Sequence, residues 1–375
     1  MEEYTLYATM GAGFESVVAK ELQSLGYETR SENGRVFFKG SQADIVRCNL
    51  WLRTADRVKI LLKEFPAKDF ETLYNETYAL DWAQLLPVDA EFPVKGRAVR
   101  SKLHSEPDVQ AIVKKAIVDK MSAQYRRRGM LPENGSRFPL DVHIYKDVAR
   151  LSLDTTGESL FKRGYRIEHG GAPLKENFAA SLIKLTPFNG THPFIDPMCG
   201  SGTLPIEAAM IAKNIAPGTW RQFAFDGFDW FDQKLHPEMV EEAKSLVKPC
   251  ETAIQASDID QSILEVAKLN AHNAGVLQDI RFKQVAVKDF TTELENGVIV
   301  SNPPYGKRLK DKEGAEKLYA QMGEVLRPLD SFSQYYLTAD PDFEKFFGKK
   351  ATKKRKLYNG NLRVDFYQFW ANRKH

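Results

Sequence analysis

Between residues 194 and 302 one pattern recurs: a short apolar run closes on an acid or amide, and helix-forming sequence follows. Phe194-Ile195 closes on Asp196, and Ala253-Ile-Gln-Ala-Ser257 on Asp258. Ile280-Arg-Phe-Lys-Gln-Val-Ala286 runs on to Asp289, and Val298-Ile299-Val300 leads to Asn302. Such runs alternate with helical periodicity, as in Ile263, Ala267 and Ala271, stopped by Gly275. The alternation predicts an α/β fold, a doubly wound sheet. Ligands of open parallel sheets bind beyond the carboxyl ends of the strands. One acid after a strand is ordinarily a turn former or helix cap. Acids or amides in the same place on successive strands are a candidate binding site.

The loop after the first strand is Met198-Cys199-Gly200-Ser201-Gly202-Thr203. Its glycines allow close backbone approach to a ligand. Pro197 or Met198 stands where a G-x-G-x-x-G loop has its first glycine, and there is no P-loop lysine. The pattern points away from a dinucleotide or triphosphate and toward an adenosine ligand with an uncharged tail. Asp258 or Asp260 is expected to accept from ribose hydroxyls, Asp196 to sit near an ammonium group, and Asp289 to accept from an adenine amine beside Phe290.

The fourth strand runs into Asn302-Pro303-Pro304-Tyr305. An amide oxygen and a proline carbonyl are two acceptors side by side, the second on a residue with fixed φ and no N–H. They suit the two protons of an exocyclic amine on a flat base, with an aromatic ring nearby to stack on it. Asn-Pro and Pro-Pro are also common loop punctuation; the strand-end acids favour the functional reading.

At 375 residues and 43% hydrophobic content the chain is long enough for several domains. Lys+Arg 53 against Asp+Glu 50 leaves +3, so any nucleic-acid footprint is local rather than global. Cys48, Cys199 and Cys250 are odd in number, far apart and without zinc spacing, which predicts a reducing compartment and no metal. No secretory leader or run of about 18–20 apolar residues is present, so a cytoplasmic protein with no membrane partner is expected.

In the first half, Thr5–Thr9, Arg35–Lys39 and Arg57–Lys63 read as strands separated by helices. A second unit starts near Asp69, with a strand at Pro93–Val99, a helix entered at Ser105-Glu-Pro107 and a hairpin at Leu140–Ile144 and Val148–Leu153. Lys95, Arg97, Arg100 and Lys102 cluster at the start of that helix, and Arg126-Arg127-Arg128 at its end. They are candidate phosphate contacts, although solvated cations and helix-dipole partners share this pattern. Lys353-Lys354-Arg355-Lys356 is a third basic run, and a charged edge strand reads the same way. Asn359-Gly360 predicts a terminal hairpin. Thr219–Phe231 is aromatic-dense, read either as a wall of the base pocket or as a packed insertion.

Asp196-Pro-Met-Cys-Gly-Ser-Gly-Thr203, Asn302-Pro-Pro-Tyr305 and the terminal hairpin resemble S-adenosylmethionine-dependent methyltransferases of the Rossmann-like class. With Phe161-Lys-Arg-Gly-Tyr165 and Ala172-Pro-Leu-Lys-Glu176, the chain resembles the bacterial THUMP-domain guanine-N2 RNA methyltransferases, nearest to those of 23S ribosomal RNA. The resemblance spans essentially the whole chain and is sharpest in the catalytic half. It implies a ferredoxin-like unit at 1–65, a THUMP RNA-binding unit at 66–155, a connector at 156–190 and a methyltransferase domain at 191–375. It implies S-adenosyl-L-methionine as cofactor, held by Asp196, Met198, Cys199, Gly200, Ser201, Gly202, Thr203, Asp258, Ile259, Asp260, Asp289 and Phe290. Catalysis falls to Asn302, Pro303, Pro304 and Tyr305, and RNA contact to the three basic clusters, Lys353, Lys354 and Arg355 included. Some relatives carry a second methyltransferase module beyond the position of His375, so activity on a second nucleotide is not expected here. Transfer-RNA guanine methylation, adenine-N6 methylation of RNA or DNA, and a non-catalytic RNA-binding factor are the competing readings.

Overall fold

The computed structural model describes residues 3–167, 173–304, 312–360 and 362–371. Its strands form two seven-stranded sheets. The first sheet contains β1 (Tyr4–Thr9), β2 (Arg30–Glu32), β3 (Arg35–Gly40), β4 (Arg57–Pro66), β5 (Val94–Val99), β6 (Leu140–Tyr145) and β7 (Val148–Asp154), in the order β2-β3-β1-β4-β7-β6-β5. Alternating burial along β6 sends Leu140, Val142 and Ile144 to the core, as half-buried strands require. The helices begin where local chemistry allows: Ser41 and Asp44 form a capping box for helix Gln42–Trp51. Ser105 Oγ accepts from Asp108 N at the start of helix Glu106–Gln124, with Pro107 in its first turn.

The two units read from the sequence share this sheet. β4 pairs with β1 on one edge and with β7 on the other, from Lys59↔Asp154 to Pro66↔Val148, with a register shift between Leu61 and Lys63. A boundary at 65/66 therefore falls at the end of a strand common to both. Local periodicity does not report such long-range pairing.

The second sheet contains β8 (Phe194–Asp196), β9 (Ile254–Asp258), β10 (Ile280–Gln284), β11 (Val298–Ser301), β12 (Ser333–Thr338), β13 (Lys353–Asn359) and β14 (Leu362–Phe369). Its order is β10-β9-β8-β11-β12-β14-β13, parallel through β12 and antiparallel from there. All four residues of β11 are buried, as a central parallel strand demands. β10 ends at Gln284, and Val287–Asp289 is a separate 3-10 turn, so Asp289 lies beyond the strand rather than on its last residue. Asn359 still pairs with Leu362, so the hairpin turn begins at Gly360.

The halves are fastened by polar and aromatic contacts. Within the aromatic insertion Phe223, Phe225, Phe228 and Phe231 are buried, and Phe228 stacks on Phe138 of the first half with centroids 4.8 Å apart. Trp230 Nε1 donates to Leu85 O at 3.1 Å, and Gln42 Nε2 donates to Trp230 O at 3.3 Å. The insertion is thus a packed bracket between the halves. Beneath it Arg163, fully buried, donates to Arg53 O at 2.5 Å and faces Glu207 at 3.4 Å; Tyr165 OH donates to the same carboxylate. A buried ion pair costs desolvation on both sides, and removing one partner leaves the other charge uncompensated.

Candidate active site

The second sheet reverses its winding between β8 and β11, the place where open α/β sheets bind ligands. Asp196 ends β8 and Ser301 ends β11. Ser301 Oγ donates to Asp196 Oδ1 at 2.6 Å, and Met198 N donates to the same oxygen at 3.2 Å. Asp196 is 1% exposed, and burial pushes its carboxyl up to about 7. It joins two strand ends and the start of the glycine loop.

That loop is fixed from several sides. Cys199 N donates to Ser257 O at 2.8 Å, and Gly200 N donates to Asp258 Oδ2 at 2.9 Å. Asn270 Nδ2 holds Ser201 O at 3.0 Å, and Arg166 Nη2 donates to Thr203 Oγ1 at 2.9 Å. The same guanidinium pairs with Glu176 at 2.8 Å. Gly202 has φ +82° and caps helix Thr203–Ala212; a Cβ there would lie 3.0 Å from Ala267 Cβ, so both conformation and space exclude larger residues. Cys199 is buried, and burial pushes its thiol well above the ordinary range, which makes it structural rather than reactive.

Beside this loop opens a cavity of about 720 Å³, within the usual range of small-molecule sites. Met198, Gly200, Asp258, Ile259 and Asp260 line one side, Ala286, Val287 and Lys288 another, and Asn302 with Pro304 a third. Asp258 uses its two oxygens to hold Gly200 N and Asp260 N. Asp260 caps helix Gln261–Asn273 through Ser262 N and Oγ, and those bonds hold its carboxyl below the usual range. Asn302 Oδ1 is buried and has no hydrogen-bond partner among the described residues. A buried acceptor left open is costly unless a ligand completes it. Tyr305 lies outside the described residues.

The other sequence-assigned residues divide. Asp196, Cys199, Ser201, Gly202 and Thr203 lie behind the cavity and do not line it. Asp289 is exposed at the end of its turn, and Phe290 is buried in a core cluster with Ile299 and Tyr319; neither lines the cavity. Arg97, Arg100, Lys102, Arg126, Arg127 and Arg128 are exposed, as is Lys353. Lys354 pairs with Glu344, and Arg355 donates to Gly13 O and Ser16 Oγ, tying the terminal hairpin to the first half. Sequence reading missed Ser301, Asn270 and Arg166, whose partners lie 105, 69 and 37 residues away. For Ser301 a signal was present: it directly precedes Asn302 at the end of an apolar run. No group of three or more His, Cys, Asp or Glu placed for a metal occurs among the described residues, and none of their helices is long and apolar enough to cross a membrane.

An apolar-walled cavity at the switch point, with carboxylates at its rim and a glycine loop behind, fits a nucleoside bearing a neutral or cationic tail. Together with the antiparallel hairpin closing a parallel sheet, it defines a Rossmann-like methyltransferase that uses S-adenosylmethionine. Comparison with known proteins agrees: the chain belongs to the RMKL-like, methyltransferase domain family, which matches residues 163–368. The RlmL ferredoxin-like domain matches residues 5–59 and the THUMP domain residues 67–154. YpsC of Bacillus subtilis (strain 168), provisionally named an RNA methyltransferase, is 48% identical over 99% of this chain and 97% of its own. Ribosomal RNA large subunit methyltransferase K/L of Shewanella baltica (strain OS185) is 34% identical over 98% of this chain, which spans only 53% of that relative's length. SMU.472, a provisional methyltransferase solved with SAH, superposes with TM-score 0.94 at 49% identity over all of both chains. A Listeria monocytogenes str. 4b F2365 structure, described as a predicted N6-adenine-specific DNA methylase, gives TM-score 0.93 at 48% identity over 99% of this chain and 97% of that one.

Proposed function

We propose that this protein transfers a methyl group from S-adenosylmethionine to the exocyclic N2 amine of a guanine in RNA, the substrate being 23S ribosomal RNA in the cytoplasm. The observation that carries the reading is the open, buried Oδ1 of Asn302 at the edge of the cavity. The lone pair of an aromatic amine is delocalised into its ring and is a poor nucleophile. Asn302 Oδ1 and the Pro303 carbonyl accept its two hydrogens, which favours a pyramidal nitrogen whose lone pair leaves the ring plane. Positioning and fixed dipoles then supply the acceleration, with no strong base needed before transfer. Gly200, Asp258 and Asp260 hold the cofactor, with Ala286, Val287 and Lys288 along the opposite wall of the cavity. Bound there, S-adenosylmethionine supplies an electrophilic methyl group on a sulfonium. Tyr305 is assigned to stack on the base, which has to leave its helix or come from a single strand.

A ribosomal RNA substrate is supported by the name of the Shewanella relatives, ribosomal RNA large subunit methyltransferase K/L, and by the THUMP match, while the choice of guanine rests on the resemblance carried by the sequence motifs. Adenine N6 is the second reading, because the same acceptor pair holds an adenine amine and the Listeria structure carries that description. The deciding experiment is transfer from labelled cofactor to unmodified ribosomal RNA, digestion, and mass spectrometry of the nucleosides. N2-methylguanosine is the expected product; N6-methyladenosine establishes the second reading, and no methylated nucleoside removes both.

A further inference from the structure

The cross-strand registers of the first sheet gather cations on one face. Arg35 lies opposite Thr9, which lies opposite Arg57; Tyr7 lies between Phe37 and Lys59; Arg97 lies opposite His143, and His143 opposite Arg150. The acids on this face are already matched: Lys59 pairs with Asp141 at 2.6 Å, Arg57 with Asp154 at 2.5 Å, and Arg150 with Glu32 at 2.9 Å. Arg35, Lys95 and Arg97 form no ion pair among the described residues, so a positive excess remains. His143 senses it: burial, and then Arg35, Arg97, Arg150 and Lys59, hold its imidazole down to about 4.

This face does not lie open on the protein's outside. Part of it, with Arg57, Lys59, Lys95, Asp141 and Asp154, forms one wall of a cleft of about 1430 Å³, and residues 219–222 of the aromatic insertion form part of the other; the remaining acids of the cleft, Glu158, Asp226 and Glu241, are paired with Lys162, His236 and Lys244. Trp220 is 45% exposed there, although its insertion neighbours Phe223, Phe225, Phe228 and Phe231 are buried. Beside it Arg221 has no carboxylate partner among the described residues; it donates to the carbonyls of Glu158, Ser159 and Lys162. An adjoining cavity of about 640 Å³ shares Glu158, Phe161, Lys162, Arg221 and Gln222 with the cleft and reaches Arg166, the residue that holds Thr203 behind the glycine loop. The depression thus leads from the cationic sheet face toward the cofactor loop.

We propose that this cleft binds single-stranded RNA, with phosphates along Lys95 and Arg221, continuing to Arg97 two residues farther along β5, and an unpaired base stacked on Trp220. The proposal rests on the reading above that the substrate is RNA, and it assigns a track for the strand leading to the target base. A flat exposed ring between cationic walls takes any unpaired base, because every base offers a π-face. In an A-form duplex those faces are stacked away and only backbone and minor groove are presented. The site overlaps the basic clusters read in the sequence only in part: of those, Lys95 and Arg97 fall on this face, and Lys95 lines the cleft.

The test is fluorescence anisotropy of the full chain with a labelled single-stranded oligouridylate and with a blunt RNA duplex of the same length, over a salt series. Trp220→Ala is expected to weaken single-strand binding about tenfold, and the double variant Lys95→Glu/Arg97→Glu to flatten the salt slope by about two. Both variants should retain wild-type SAH affinity, since neither position touches the cofactor cavity. Unchanged affinity and slope in both, or tighter binding of the duplex than of the single strand, overturns the cleft as the track. If the wild-type chain methylates ribosomal RNA while the variants bind the oligonucleotide normally, only the cleft assignment falls. If the wild-type chain neither binds nor methylates RNA, the functional reading falls with it.

Discussion

Ser301 Oγ donates to Asp196 Oδ1 at 2.6 Å, joining the carboxyl ends of β8 and β11 at the point where the sheet reverses. Asn302 is the next residue after that bond. The buried acid therefore acts on the Asn302 turn through Ser301, and on the glycine loop through Met198 N.

The raised carboxyl of Asp196 sets a pH dependence. Below about pH 4 folded and unfolded chains both carry its proton. Between about 4 and 7 the unfolded chain ionises first, so stability is lost as pH rises toward the folded value of about 7. Asp196→Asn removes that contribution. Urea unfolding of the two proteins should diverge across this window by an amount on the order of 4 kcal/mol; parallel profiles would show that burial does not hold the proton.

Ser301→Ala takes away the donor that fixes the turn while leaving the cofactor cavity lined as before. Turnover should fall about 10–100-fold through misplacement of Asn302, with SAH affinity by calorimetry nearly unchanged. A loss of SAH binding equal to the loss of turnover would place Ser301 in the cofactor site instead.

Gly202→Ala combines a left-handed backbone with a 3.0 Å contact to Ala267 Cβ. It should cost about 1–3 kcal/mol in chemical denaturation and weaken SAH binding. Gly200, at φ +53° with open space around its Cβ position, should tolerate alanine better, at about 1 kcal/mol.

Much of the catalytic half was legible because its signals are local. The glycine loop, Asp258, Asp260 and Asn302-Pro303-Pro304 are contiguous in sequence with the strands that present them, and each sits at a predicted strand end. What escaped the sequence depends on distant pairing. β4 and β7 merge the first two units into one sheet through residues about a hundred positions apart. Arg355 reads as a free cation in a basic run, yet it is spent on Gly13 O, 342 residues away. Phe290 follows the acid of a strand-end motif and looks like a ring beside a purine; the turn at Val287–Asp289 sends it into the core instead.

The junction of the halves makes its own prediction. Glu207→Ala leaves the buried Arg163 without its anion while keeping its bonds to Arg53 O and Leu160 O. The expected loss is about 3–5 kcal/mol, seen as a lower urea midpoint. A near-neutral result would mean that the carbonyls alone satisfy the guanidinium.

Asn302→Ala, measured two ways, tests the amine-acceptor role most directly. The prediction is SAH affinity within about threefold of wild type, and single-turnover methyl transfer to ribosomal RNA reduced about 10²–10³-fold, the loss typical of removing one positioned polar group from a transition state. Transfer at the wild-type rate would contradict it, because the open Oδ1 would then not be the amine acceptor.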